Sequence, residues 1–369
     1  MTLSHTVLLA HLLSKPEVAQ SLTGVEWSEV VSQGRSCASL VRLGQVLEGA
    51  NLMPGLPPGA IRHIKAAEVV VRRQFQQALF EIGNISEALR PTGCAPILLK
   101  GAAYIALGIP AGEGRYLSDI DIMVPRKSIG EAESALMMAG WVGVESDAYN
   151  QRYYREWMHE IPPMKHMRRG SVIDLHHTVL PLTARTRIKI DAEKLFQSAR
   201  PVPGMPCLRV LCPVDMVLHS ASHLFYESEF ERGLRDLTDF DRLLDHFGRT
   251  EPEFWSQLVP RANELGLTQP LIYALRYSGE FLRTPVPDGV KALLPHGLFS
   301  LVKHAAMDEL FVRALSPTHH SCQDAFAPFA RFLLFVRGHW LRMPVRLLIP
   351  HLARKFWMKR KSMRAGDAR

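Results

Sequence analysis

Two short stretches, Leu99-Lys100-Gly101 and Ser118-Asp119-Ile120-Asp121-Ile122, decide how this chain is interpreted. The first is the end of an apolar run that stops at a glycine, and the second sets two aspartates two residues apart in another apolar run. Side chains at positions i and i+2 of a strand lie on the same face, so the two carboxylates are expected side by side. Such a pair repels and is costly to bury without a counter-charge. A divalent cation removes both costs, and Mg²⁺ prefers carboxylate and phosphate oxygens.

A third acid extends the pattern. Ser171-Val172-Ile173-Asp174-Leu175 places Asp174 in the middle of an apolar run, which predicts an acid on a neighbouring strand. Asp119, Asp121 and Asp174 are therefore the candidate catalytic residues and the candidate ligands of a two-metal site for Mg²⁺ or Mn²⁺. The alternative is an edge-strand acid at position 174 that pairs with Arg168 or Arg169. His176 has the same side-chain parity as Asp174 and is expected to support it.

Four residues near the paired acids are candidates for binding a nucleotide. Gly101 lies between a predicted strand and a predicted helix, where backbone N–H groups at the start of a helix bind phosphate. Lys100 beside it offers a point charge for a β- or γ-phosphate. Arg115 and Ser118 precede the acids on a loop, and an ion pair with Asp119 is the alternative role of Arg115.

The surrounding sequence predicts an α+β fold. Apolar or aromatic runs predict strands, and helical periodicity predicts helices on both sides of them. The predicted strands are 95–99, 120–124, 141–144, 151–158 and 171–175. The expected organisation is a helical N-terminal region (1–92), a small α/β core (93–200), a helical C-terminal region (201–328) and a basic aromatic tail (329–369).

The order of Lys100-Gly101, Ser118-Asp119-Ile120-Asp121 and Ile173-Asp174-Leu175-His176 resembles the polymerase-β-like nucleotidyltransferase superfamily. Within it, the chain is most similar to a mostly uncharacterised branch of bacterial nucleotidyltransferase family proteins, over about residues 95–180. The superfamily usually has Gly-Ser where this chain has Gly101-Ala102, whereas the branch commonly has Lys-Gly, as here. The resemblance implies a small nucleotidyltransferase unit flanked by helices. It also implies a metal-dependent transfer of a nucleoside monophosphate from an NTP to an acceptor hydroxyl.

Other functions stay open at this point. Phosphoryl transfer would use the same site, because the fold positions phosphates for either reaction. A non-catalytic adaptor that retains the fold is a further alternative, against which the complete set of three acids argues. No motif indicates the acceptor, which a small molecule, a sugar, a peptide, a protein side chain or an RNA end could supply.

The positive charge is concentrated at the C-terminus. The 369 residues carry a net charge of +8, yet residues 331–369 alone carry +10 and the remainder −2. The sequence pI of about 9.3 therefore does not indicate a general nucleic-acid-binding surface. Three interpretations of the tail compete: contact with an anionic membrane, contact with nucleic acid, and plain packing of a helix whose arginines are solvated.

Several further features bear on location and on the C-terminal helices. No apolar run approaches the roughly 18–20 residues of a membrane span, and the five widely spaced cysteines indicate reduced thiols. We therefore expect a cytoplasmic protein, with peripheral membrane contact as the alternative. Two groups of polar residues on predicted helices are interpreted as structural. His219 and His223 are expected to be core or hydrogen-bonding histidines, and Arg235, Asp236 and Asp239 are expected to form i,i+4 ion pairs.

Overall fold

A computed structural model describes residues 7–185, 190–226, 230–293, 298–344, 346–349 and 354. Within these ranges a mixed sheet of seven strands lies in the order β3-β4-β5-β2-β1-β7-β6. The strands are β1 (Ile97–Leu98), β2 (Ile120–Met123), β3 (Trp141–Gly143), β4 (Met164–His166), β5 (Val172–His176), β6 (Arg200–Val202) and β7 (Met205–Val210). The α+β class with helical flanks, expected from the sequence, is confirmed.

Helices precede, interrupt and follow this sheet. Those before it are α1 (Leu8–Ser14), α2 (Gly24–Ser36), α3 (Leu40–Gly49) and α4 (Pro58–Leu89). Those between its strands are α5 (Lys100–Leu107), α6 (Ile129–Met138), α7 (Ala148–Trp157) and α8 (Ala192–Ser198). Those after it are α9 (Pro213–Tyr226), α10 (Gly233–Thr250), α11 (Phe254–Glu264), α12 (Thr268–Leu282), α13 (Asp288–Ala292), α14 (Leu298–Leu315) and α15 (Ala327–Arg342).

The strand pairing at the centre of the sheet positions the acids. β2 pairs antiparallel with β1 and parallel with β5. In the parallel pair Asp121 lies opposite Asp174, and Met123 lies opposite His176. The prediction that Asp174 belongs to a strand next to the paired acids is therefore confirmed. β5 is an interior strand between β4 and β2, so Asp174 is not an edge-strand acid. Arg169 pairs instead with buried Glu81 of α4 at 2.6 Å, so the alternative of an edge acid paired with Arg169 is wrong.

The strand predicted at 151–158 is wrong, because these residues belong to helix α7. The Asp147 side chain caps this helix by accepting a hydrogen bond from the backbone N–H of Asn150 at 3.0 Å. Tyr149, Tyr153 and Trp157 are four residues apart, which places their rings on one helix face. The rings of Tyr153 and Trp157 meet edge to face with centroids 6.0 Å apart. The i,i+4 spacing of these aromatic residues indicates a helix, although aromatic residues by themselves favour strands.

The sheet also extends further along the chain than the sequence indicated. β6 and β7 form a hairpin around Pro203-Gly204, with Gly204 at φ +74°. β7 then pairs in parallel with β1, so helices dominate only from Pro213 onward rather than from residue 201. The Pro-Gly dipeptide between two short apolar runs is typical of such a turn.

Helix α15 contains the first part of the tail and has two unlike faces. Ala327, Ala330 and Leu334 are buried against neighbouring helices, which include α14 and α9. The opposite face exposes Phe329, Phe332 and other aromatic side chains. Packing is thus confirmed for one face of α15. Six of the eleven Lys and Arg residues of the tail lie outside the described residues. Among the described helices, none combines the length and the apolar character needed to cross a bilayer.

A buried ion-pair network joins three distant parts of the chain. Asp239 of α10 accepts hydrogen bonds from Arg42 of α3 and from Nε of Arg115, the latter at 2.7 Å. Arg42 is fully buried and also donates to the carbonyl oxygens of Ala111 at 2.8 Å and Arg235 at 3.0 Å. Burial alone would raise the pKa of Asp239, but the guanidinium groups of Arg42 and Arg115 lower it below its usual range. Asp239 therefore stays ionised in the core.

The network corrects two sequence-based expectations. Arg115 pairs with Asp239 and not with Asp119. Arg235 donates to Asp236, its neighbour in sequence, at 2.6 Å instead of forming an i,i+4 pair with Asp239. Asp236 and Asp239 are thus both engaged, but by partners that sequence spacing did not indicate.

We expect Asp239→Asn to lower the free energy of unfolding by about 3–5 kcal/mol, because the substitution leaves Arg42 buried without its carboxylate. Denaturant unfolding of the two proteins measures the difference. Asp245→Asn is the matched control on the same helix, since it breaks only the exposed ion pair with Arg249 and should change stability by less than about 1 kcal/mol. Equal stabilities of the two variants would contradict the importance of the network.

Candidate functional site

The three predicted acids occupy two neighbouring strands and the residue before one of them. Asp121 and Asp174 are register partners on β2 and β5. Asp119 lies immediately before β2, which begins at Ile120, and is half-buried. The structure therefore brings Asp121 and Asp174 together in the sheet, with Asp119 one residue before β2, while the catalytic and metal-binding roles of the three acids stay predictions.

Asp121 is held by two donors. Its Oδ1 accepts a hydrogen bond from Nζ of Lys100 at 2.9 Å and lies 3.0 Å from Nε2 of His176. Burial alone would raise the pKa of Asp121, but Lys100 and His176 together hold this pKa well below its usual range. His176 thus supports Asp121 directly, whereas the sequence suggested only that it shares a face with Asp174.

The Lys100-Gly101 turn is shaped by close packing. Lys100 has φ +46°, a left-handed conformation that is strained for a residue with a side chain. A Cβ atom on Gly101 would lie 1.9 Å from Nη1 of Arg115 and 3.0 Å from Cδ2 of Leu117. Glycine is therefore required at position 101 because a guanidinium group packs directly against its backbone. The backbone N–H groups that begin α5 have no acceptor within the helix, which leaves them suited to a phosphate.

The four candidate nucleotide-binding residues have different partners. Lys100 and Gly101 adjoin Asp121, and Arg115 packs on Gly101 while its Nε is engaged by Asp239. Ser118 is exposed, and its hydroxyl donates to Oδ1 of Asp119 at 3.1 Å. Nucleotide binding by these residues stays a prediction. In this structure the ammonium group of Lys100 contacts the carboxylate of Asp121.

A cleft of about 280 Å³ opens beside Asp119. It lies between α4, the loop that leads into β2, and the hairpin that joins β4 to β5. Its polar lining includes Gln74, Gln77, Ser118 and Ser171. No motif marks the two glutamines, which the long helix α4 brings to the site. The cleft has the polarity and position to receive a ligand next to Asp119.

A group of buried imidazoles begins at His176, which contacts Asp121. His159 and His176 have ring centroids 5.1 Å apart, and burial lowers the pKa of each below its usual range. Burial also lowers the pKa of His219 to about 3. These rings are therefore neutral near pH 7. The sequence indicated structural roles for His219 but gave no signal for His159, which approaches the site through strand pairing.

Glu160 is the other residue that sequence reasoning missed. It forms a backbone bridge with His176, and its Oε2 lies 3.4 Å from Nε2 of that ring. The same oxygen lies 3.8 Å from Nε2 of His159. His159, Glu160 and His176 thus form a compact group of donor atoms beside the predicted acid site.

The sheet, the acids on adjacent strands and the Lys-Gly start of α5 are the features from which the resemblance was drawn. A family model described as "Uncharacterised nucleotidyltransferase" matches residues 23–283. This match covers well over half of the chain, so the chain belongs to that family, as the resemblance of its motifs implied. It runs from α2 to α12 and therefore includes Arg42 and Asp239 as well as the acids. A search of curated proteins found no match to the chain.

Proposed function

We propose that this nucleotidyltransferase moves a nucleoside monophosphate from an NTP to an acceptor hydroxyl in a reaction that requires Mg²⁺ or Mn²⁺. The observation that carries the proposal is the pairing of Asp121 with Asp174 across β2 and β5, beside the start of α5. Family membership supports the reaction class. The experiment below identifies the acceptor and the preferred nucleotide.

The donor set fits the proposed cation. Asp119, Asp121 and Asp174 supply carboxylate oxygens, which Mg²⁺ and Mn²⁺ prefer over nitrogen or sulfur. When bound, such a cation would neutralise charge on the triphosphate and make the acceptor hydroxyl more acidic. The low pKa of Asp121 keeps its carboxylate ionised and ready to bind.

The chain's own groups would position the reactants. The N–H groups at the start of α5 would bind phosphate oxygens, and Lys100 would exchange Asp121 for a β- or γ-phosphate. The acceptor oxygen attacks the α-phosphorus, and the bond from that phosphorus to the bridging oxygen breaks. Asp174 would accept the hydroxyl proton, and pyrophosphate leaves. The cleft beside Asp119 is the proposed place for the base or the acceptor.

NTPs labelled in the α- or the γ-phosphate separate the two transfer reactions. The purified chain is incubated with each NTP, Mg²⁺ and a cell extract, and labelled products are resolved as small molecules, RNA or protein. We expect the α-label on an acceptor and the γ-label in pyrophosphate. Transfer of the γ-label to an acceptor would instead establish phosphoryl transfer. We expect Asp174→Asn to reduce transfer by about 10²–10³-fold or more, as loss of a catalytic charge does.

Exposed Glu131 of α6 provides the control for that variant, because Glu131→Gln removes an acid from the same unit and should leave transfer unchanged. Wild-type transfer by Asp174→Asn would contradict its role. Absence of transfer with every NTP, together with absence of NTP binding in equilibrium dialysis, would contradict the proposed function and favour a non-catalytic adaptor.

Lys100→Ala should raise the KM for NTP by about 10–100-fold, the effect of losing a hydrogen bond to a charged group, and should lower kcat less. The same change should lower the Mg²⁺ concentration needed for half-maximal rate, because Lys100 competes with a cation for Asp121. Titrations of NTP and Mg²⁺ measure both effects, with exposed Lys127→Ala as the control. Equal losses in kcat and kcat/KM would instead indicate that Lys100 stabilises charge that develops only in the transition state.

A second proposal concerns the surface of α15, which would contact an anionic membrane from the cytoplasmic side. Phe329 and Phe332 are 50% and 57% exposed on one face, and the sequence beyond them is strongly basic. Nucleic acid is the competing ligand. A cytoplasmic location is part of this proposal, supported by free thiols at all five cysteines.

Co-sedimentation with phosphatidylserine-containing and neutral vesicles tests this surface. We expect binding to the anionic vesicles that weakens as salt rises, because exposed charges are screened within about 10 Å. The double variant Phe329→Ser/Phe332→Ser should pellet less, whereas Phe80→Ser, which changes an exposed aromatic residue on α4, should behave as wild type. Absence of pelleting at low salt would contradict the membrane proposal.

A further inference from the structure

His159, Glu160 and His176 are brought together by strand pairing and not by a sequence motif. Glu160 and His176 face each other in an antiparallel bridge, so their side chains share a face of the sheet. The backbone N–H of His177 donates to the carbonyl oxygen of His159 at 2.8 Å, which continues the pairing. One donor atom from each of the three side chains lies within 4.8 Å of the other two.

The separations within this group are those of ligands around one ion. Oε2 of Glu160 lies 3.4 Å from Nε2 of His176 and 3.8 Å from Nε2 of His159. Charge-assisted hydrogen bonds between such groups are shorter, about 2.7–2.9 Å. Ligands held at about 2.0–2.1 Å around a tetrahedral zinc ion are roughly 3.3 Å apart.

A second observation concerns hydrogen bonding. His159 and His176 are 8% and 1% exposed, and in the part of the chain that the structure describes no group hydrogen-bonds Nδ1 of either ring. Buried polar groups normally have partners, and a buried imidazole nitrogen without one is destabilising. Nε2 of each ring faces Glu160, so an ion would bind there and not at Nδ1. With its proton on Nδ1, a neutral imidazole leaves the Nε2 lone pair for an ion, and in His176 such an ion would replace the hydrogen bond to Asp121.

We propose that His159, Glu160 and His176 bind a transition-metal ion of the Zn²⁺ class at a site beside the three acids. Two imidazoles and one carboxylate select such ions, whereas Mg²⁺ prefers a donor set made of oxygens. Oδ1 of Asp121 lies 3.0 Å from Nε2 of His176, so an ion bound here would adjoin the acid site. The proposal does not rest on nucleotidyl transfer, because the three residues bind the ion without nucleotide.

Titration of the chelator-treated full chain with Co²⁺, without nucleotide, tests the site. We expect one equivalent of Co²⁺ to produce the visible absorption bands of a nitrogen-ligated ion, and Zn²⁺ to displace it. His159→Gln and Glu160→Gln should each weaken binding by at least about 10-fold, as changes at a metal site do. His177→Gln is the matched control, since His177 is also buried and also carries a ring nitrogen without a hydrogen bond from the described residues.

Asp174→Asn distinguishes this site from the acid site. Retention of Co²⁺ by Asp174→Asn and its loss from His159→Gln would support the proposal. The reverse pattern, or the absence of Co²⁺ and Zn²⁺ binding by the wild type, would overturn it. Pulsed EPR of the wild type loaded with one equivalent of Cu²⁺, which prefers imidazole, adds a readout that is independent of whether the variants fold: nitrogen coupling supports imidazole ligation, and its absence contradicts it. None of these outcomes depends on whether the chain transfers a nucleotide, so the two proposals can fail separately.

Discussion

The buried carboxylate of Asp239 is the constraint on which the rest of this structure depends. It holds Arg42 of α3 on one side and Arg115 of the loop before β2 on the other. A buried charge of this kind is tolerated only when it is paired and hydrogen-bonded, so the three segments must come together for any of them to fold well. Arg115 then packs on the backbone of Gly101, where any larger residue would collide with it. The position of the Lys100 turn is thus tied to a helix that lies far along the chain.

This link changes how the helical flanks relate to the site. The family match begins at α2 and ends after α12, and so contains both ends of the Arg42–Asp239–Arg115 network. The flanks supply Gln74 and Gln77 of the cleft as well as the partner of Arg115. The helices therefore contribute to the geometry of the acids, and the network crosses the divisions that composition suggested near residues 92 and 200.

The parts of the site that sequence could predict are those that local rules control. Spacing of two along a strand placed Asp121 correctly, and an acid inside an apolar run correctly indicated Asp174 on the neighbouring strand. Sequence spacing does not predict which distant residues pair. The partner of Arg115 is 124 residues away, and Glu160 meets His176 only through a backbone bridge. The error at α7 has another cause, since aromatic residues favour strands unless their i,i+4 spacing is given more weight.

The strained turn at Lys100 connects the two ligands that the proposed reaction needs. A left-handed lysine persists only where its surroundings determine its conformation, and here the surroundings are Gly101 under Arg115 and the carboxylate of Asp121. In this arrangement the ammonium group occupies one oxygen of an acid that a cation would also use. In the proposed reaction, cation binding at Asp121 and phosphate binding by Lys100 would therefore favour each other, because each ligand would replace one side of the Lys100–Asp121 contact. The same contact lowers the pKa of Asp121 and so keeps its carboxylate ionised. This single ion pair would thus couple the affinities of the site for its cation and for its phosphate.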